Sequence, residues 1–182
     1  MMSSKIQLII AMLFLVLAVK SIPNETDCNL QRELKKIYGK NEFMLMPMKI
    51  PDKFNPTGTF HQIQSSLKGS QLPVYVYIGR VSTVRSAAAT GKKSENAEYF
   101  DYFILFNSSR AVSLVKVTNY QSSHGAMISS PGWLRKFVGH AHPKPLEVGR
   151  QIDAISGATI SVNNITFDVR QKSYMLYEIV SK

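Results

Sequence analysis

A chain of 182 residues, 45% of them hydrophobic and 10% aromatic, can bury one sizeable core but has little room for a second full domain. The formal net charge of +10 is spread along the sequence, with no basic run interleaved with stacking aromatics. That argues against nucleic acid and leaves an acidic partner, an anionic membrane surface or plain solubility. Cys28 is the one cysteine, which excludes an internal disulfide and a cysteine-based metal set.

Residues 1–21 read as a secretory signal peptide. Lys5 gives the positive start, Ile6 to Val19 is apolar except for Gln7, and Val19-Lys20-Ser21 offers a cleavage point. The run falls short of the about 20 residues a spanning helix needs, so an uncleaved anchor is the weaker alternative. The expected location is exported, periplasmic or on the extracytoplasmic membrane face. Cys28 follows Glu25-Thr26-Asp27, which lacks the leucine and small residue that lipid attachment prefers, and reads as a free or intermolecular thiol.

Residues 22–71 read as an N-terminal helix and a linker of unassigned role. Asn24 to Asp27 resembles a helix N-cap region, and Leu30, Leu34 and Ile37 then recur at spacings of four and three, predicting an amphipathic helix to about Gly39. Pro47 and Pro51 prevent its continuation. Met44, Met46 and Met48 alternate as in a short edge strand, or fill core gaps, in preference to a metal-binding role. Phe54 to Gln71 carries turn residues and little pattern.

Residues 72–182 hold the strand signals and the motifs. A β-branched and aromatic run begins at Leu72 and covers Val74 to Val84. Tyr99 to Phe106 and Val112 to Val117, joined by Asn107-Ser108-Ser109-Arg110, predict an antiparallel hairpin. Aromatics at Tyr99 to Phe106 suit a buried sheet better than a ligand wall. Ser130-Pro131-Gly132-Trp133 opens a short helix, Leu134 to Val138, closed by Gly139. His140 and His142, before Pro143 and Pro145, read as solvated loop histidines in preference to metal ligands.

Asp153-Ala154-Ile155-Ser156-Gly157-Ala158-Thr159 is the most specific stretch. Val162, Ile165, Val169, Leu176 and Ile179 after it form one stripe of a helix from about Ser161 towards Ser181, which puts Thr159 just before that helix or at its cap. Small residues in front of a helix suit an anion, because unpaired N–H groups and the positive end of the dipole favour phosphate and Gly157 lets the backbone approach it. The expected fold class is α+β, an antiparallel sheet packed against helices in one domain after the signal.

The Asp-x-x-Ser-Gly-Ala-Thr spelling at Asp153, Ser156, Gly157, Ala158 and Thr159 resembles the flavin-attachment motif of the FMN-binding domain family. That family includes the C subunit of the sodium-translocating NADH:quinone reductase and the G subunit of the Rnf complex. The resemblance implies that FMN is covalently attached to Thr159 through its phosphate, by a separate magnesium-dependent flavin transferase using FAD. It covers roughly Leu72 to the C-terminus. Members often carry Glu-Thr-Pro-Gly-Leu-Gly near the flavin; here Pro131 and Gly132 are kept, with Ser129, Ser130 and Trp133 for the glutamate, threonine and leucine. Trp133 is then either a neighbour of the flavin ring or a core anchor.

The implied function is electron transfer outside the cytoplasmic membrane, with a membrane-bound or soluble redox partner and no catalytic acid, base or nucleophile. Two alternatives stay open. One is a flavin-dependent reductase of a small substrate, with His124 as its polar group; the other is a binding module of the same fold without flavin.

Overall fold

The computed structural model describes residues 24–83, 98–122 and 125–181. A five-stranded antiparallel sheet is built as a meander, with strands in chain order: β1 (Phe43–Pro47), β2 (Thr59–Ser65), β3 (Pro73–Ser82), β4 (Tyr99–Asn107) and β5 (Val112–Gln121). The β4–β5 hairpin closes at Asn107, whose Oδ1 accepts from the backbone N–H groups of Ser109 and Ala111, both at 3.0 Å. That side chain mimics a backbone turn and sets the hairpin there.

β4 explains why its sequence is apolar almost without interruption. Phe100, Tyr102, Ile104 and Phe106 point to one face and Phe103 and Leu105 to the other, and both faces are covered. Helix α1 (Asn24–Tyr38) covers the second face, where Leu30, Leu34 and Tyr38 meet Ile63, Val76 and Ile78. It ends at Gly39, whose N–H returns to the Lys35 carbonyl at 2.9 Å. The first face is covered by the 22-residue C-terminal helix, α3 (Thr159–Val180), through Val162, Ile165, Val169 and Leu176. A short helix, α2 (Pro131–Leu134), continues as a 3-10 turn over Arg135–Phe137 and packs beside β5.

The α+β expectation, the hairpin and all of the predicted helices are present. Two readings need correction. The segment expected to be a linker contains β2, and residues 24–71 supply two strands of the common sheet and one of its covering helices, so no boundary falls at 71. His140, expected to be solvated, is only 7% exposed. The signal-peptide reading of residues 1–21 lies outside the described residues, among which no helix is long and apolar enough to cross a membrane.

Candidate functional site

The loop before α3 is tied down at both ends. Leu146 and Ile152 are buried in the core, and the Gly149 N–H bonds to the Ile152 carbonyl at 2.8 Å. One residue further on, the Asp153 carbonyl accepts from Trp133 Nε1 at 2.9 Å, while the Asp153 carboxylate pairs with Lys136 at 2.9 Å. Both ion-pair partners are substantially exposed, so that contact adds little. The indole bond matters more: Trp133 is 8% exposed and set edge-on against Phe137 at 5.3 Å. Trp133 is therefore a core anchor that also holds the motif loop.

Beyond Asp153 the chain is exposed as far as Gly157, apart from the half-buried Ile155. Gly157 has φ +74, a conformation that strains any residue with a Cβ, and a Cβ there would meet nothing within 4 Å. The constraint is thus backbone conformation and not space. Ala158, 3% exposed, caps α3, and Thr159 is the first helical residue, with its side chain in the solvent-facing class. Among the described residues no side chain caps α3, and no acidic residue lies in its first turn. Its N-terminal N–H groups are thereby left open to an external acceptor.

Thr159 stands in the wall of a cleft of about 400 Å³, within the range of small-molecule sites. One wall is Gly157 to Ser161; the other is Thr83, Glu98 and Ser122, the residues at the ends of β3, β4 and β5. The Thr83 N–H bonds to the Glu98 carbonyl at 2.9 Å, and Ser122 Oγ donates to the Glu98 carboxylate at 2.7 Å. Beside the cleft, the Tyr120 hydroxyl lies 3.1 Å from Ser161 Oγ, and its ring stacks on Phe100 at 5.9 Å. Gly125 permits this approach: a Cβ on it would lie 2.9 Å from the Tyr120 hydroxyl and 3.3 Å from Ala158 Cβ.

Of the residues singled out from sequence, Gly157, Ala158 and Thr159 share the cleft, and Asp153 and Trp133 meet outside its lining. Ser156 and Gly132 are exposed, and Pro131 faces a different groove, between α1 and β5. His124 lies outside the described residues. Glu98, Ser122, Tyr120 and Ser161 carried no sequence signal, since only the fold gathers strand ends beside a helix start. No protein-family model matches the chain, and no curated protein matches it either.

The site's chemistry fits a phosphate ester. An exposed hydroxyl stands in the first turn of a long helix whose N–H groups have no capping side chain among the described residues. Among the described lining residues there is no lysine or arginine, and Glu98 adds a carboxyl group. Backbone N–H groups and a dipole worth fractions of a kcal/mol to about 2 kcal/mol would hold a free phosphate only weakly. A covalent bond to Thr159 would secure occupancy where affinity does not.

Proposed function

We propose that this chain is an exported electron-transfer flavoprotein that carries FMN on Thr159 through a phosphoester, as the resemblance to the FMN-binding domain family implies. The observation that carries the reading is the placement of Thr159: solvent-facing, in the first turn of an uncapped 22-residue helix, on the wall of a cleft of about 400 Å³. Bound there, FMN supplies the redox chemistry. The chain's own residues do the rest. Thr159 offers the hydroxyl; the N–H groups of the first turn of α3 and the glycine turn at Gly157 receive the phosphate; Ser156, exposed beside them, is a further donor. Trp133 and Lys136 hold Asp153, and so the loop that leads to Thr159. Maturation calls on a flavin transferase, and function on a redox partner.

The test is intact mass and visible absorbance of protein exported from a host that carries the transferase, with Thr159→Ala and Thr159→Ser beside it. Expected is a mass gain of FMN less one water and a yellow colour that survives denaturation, lost in Thr159→Ala and retained in part in Thr159→Ser. Wild-type protein without the gain under those conditions overturns the attachment. Colour released on unfolding would then leave non-covalent FMN, and no colour a binding module.

A further inference from the structure

A second concavity, of about 460 Å³, lies between α1, β5 and the short helical stretch from Pro131 to Val138. Its floor is apolar, formed by Leu114, Val115, Val117 and Leu134, and Val138 at its margin is 48% exposed. Lys36, Lys116 and Arg135 stand around it, and Glu33 is its one carboxylate. Glu33 accepts from Lys116 at 2.6 Å and from Lys36 at 3.0 Å, and the bond from Lys116 above all holds its carboxyl below the usual range, so it stays ionised. Three cations against one anion leave the groove positive. Arg135 is exposed and has no carboxylate partner among the described residues. In the same lining, the Ser129 hydroxyl is buried and has no hydrogen-bond partner among them.

We propose that this groove docks an acidic segment of a partner protein, seating an apolar side chain on the β5 floor between carboxylates that pair with Arg135 and the Lys36–Lys116 side. An apolar floor under a charged rim is how specific interfaces are built, with the centre supplying burial and the rim supplying partner choice and approach rate. The concave shape suits a side chain and not a flat bilayer, and the lining has no aromatic on which a base could stack. Pro131, Leu134 and Arg135 face the groove, while Trp133 and Lys136 of the same stretch hold Asp153. A docked segment therefore abuts the element that clamps the loop before Thr159. The inference does not depend on what Thr159 carries.

The test uses the full chain, as wild type and as Thr159→Ala, and a fluorescein-labelled peptide Glu-Asp-Leu-Phe-Asp-Glu followed by anisotropy at low salt. Controls are the same peptide with lysine for each acid and one with Gly-Gly for Leu-Phe. Expected is saturable binding of the acidic Leu-Phe peptide alone, weaker by about tenfold in Arg135→Glu and in Val138→Asp, and falling as salt rises. Both altered side chains are exposed, so the fold survives, which circular dichroism checks. Absent saturation, equal binding by Arg135→Glu, or equal binding of the Gly-Gly peptide overturns the proposal. Binding to phosphatidylglycerol vesicles that Arg135→Glu abolishes, without peptide binding, overturns it in favour of a membrane surface.

Discussion

Towards α1 the sheet presents Ile63, Val76, Ile78, Phe103 and Leu105, and the helix meets them with Leu30, Leu34 and Tyr38. Towards α3 it presents Phe100, Ile104 and Phe106 but also Tyr77 and Tyr102, and the helix answers with Asp168 and Lys172 inside its apolar stripe. There the Tyr102 hydroxyl donates to Asp168, Lys172 Nζ reaches the same carboxylate at 2.8 Å, and the ammonium lies 5.1 Å from the Tyr77 ring centre. Burial raises both phenol pKa values above the ordinary tyrosine range, and the Asp168 carboxylate raises both further. An apolar face tolerates small slides of one layer over another. A half-buried carboxylate with two donors does not, because any shift leaves a charge unpaired. The two helices thus differ in kind: α1 is also tied to the sheet, by Thr26 to Thr118, Glu33 to Lys116 and Tyr38 to the Pro73 carbonyl, whereas α3, on the face that carries the candidate site, sets a carboxylate and an ammonium inside its own apolar stripe.

The largest effect is expected on the apolar face. Leu34→Ala removes a fully buried side chain and should cost about 3 kcal/mol in urea unfolding, while flavin attachment to the folded fraction proceeds at the wild-type rate. A change in that rate would break the distinction between the faces. Lys172→Met, on the other face, leaves Asp168 with one donor and should cost about 2 kcal/mol, less than a fully buried pair because Asp168 keeps 16% exposure. Here attachment should slow as well, and Asp168→Asn in the same chain should restore part of the stability.

Trp133→Phe sharpens the comparison at smaller scale. It keeps the ring packing and deletes the N–H that holds the Asp153 carbonyl, so about 1 kcal/mol and a slower attachment are expected. An unchanged rate would reduce Trp133 to packing alone. Smaller again is the pH effect. His61, opposite Val76 on the α1 side, and His140, beside the loop after α2, are both held below the ordinary histidine value of 6.5 by burial. As the pH falls below that value the unfolded chain takes up these protons first, so stability present at neutral pH is lost on acidification. The urea midpoint should fall between about pH 7 and about pH 5, and His61→Gln and His140→Gln should each flatten the slope. A slope unchanged in both variants would mean that neither histidine carries it.

Local pattern made most elements legible. Leu30, Leu34 and Ile37 marked α1, Val162 to Leu176 marked α3, and the β4–β5 hairpin followed from two apolar runs and an Asn turn. β2 was hidden because Phe60 and Ile63 point to opposite faces, leaving each face a single apolar residue between His61, Gln62 and Gln64. The polar cluster was hidden by the seven-residue gap in the α3 stripe from Val169 to Leu176, where Lys172 and Ser173 are buried. Period reports hydrophobic burial and is silent on a lysine buried through an ion pair. For the site, the motif gave the α3 side of the cleft, Gly157 to Thr159. The opposite wall, Thr83, Glu98 and Ser122, is distant in sequence, and nothing local marks residues that meet only when three strands end together.

The meander has a consequence for the order of assembly. Every strand pairs with the one made just before it, so the sheet can grow hairpin by hairpin from contacts of short sequence separation. The helices are the exceptions: α1 waits for Phe103 and Leu105 of β4, and α3, the last described element, has partners across β3, β4 and β5. Until α3 docks, Phe100, Tyr102, Ile104 and Phe106 have no cover from it, and the wall bearing Thr159 does not exist. The acceptor hydroxyl reaches its place only in a finished molecule, so a chain cut short before α3 can neither hide its sheet nor offer its threonine.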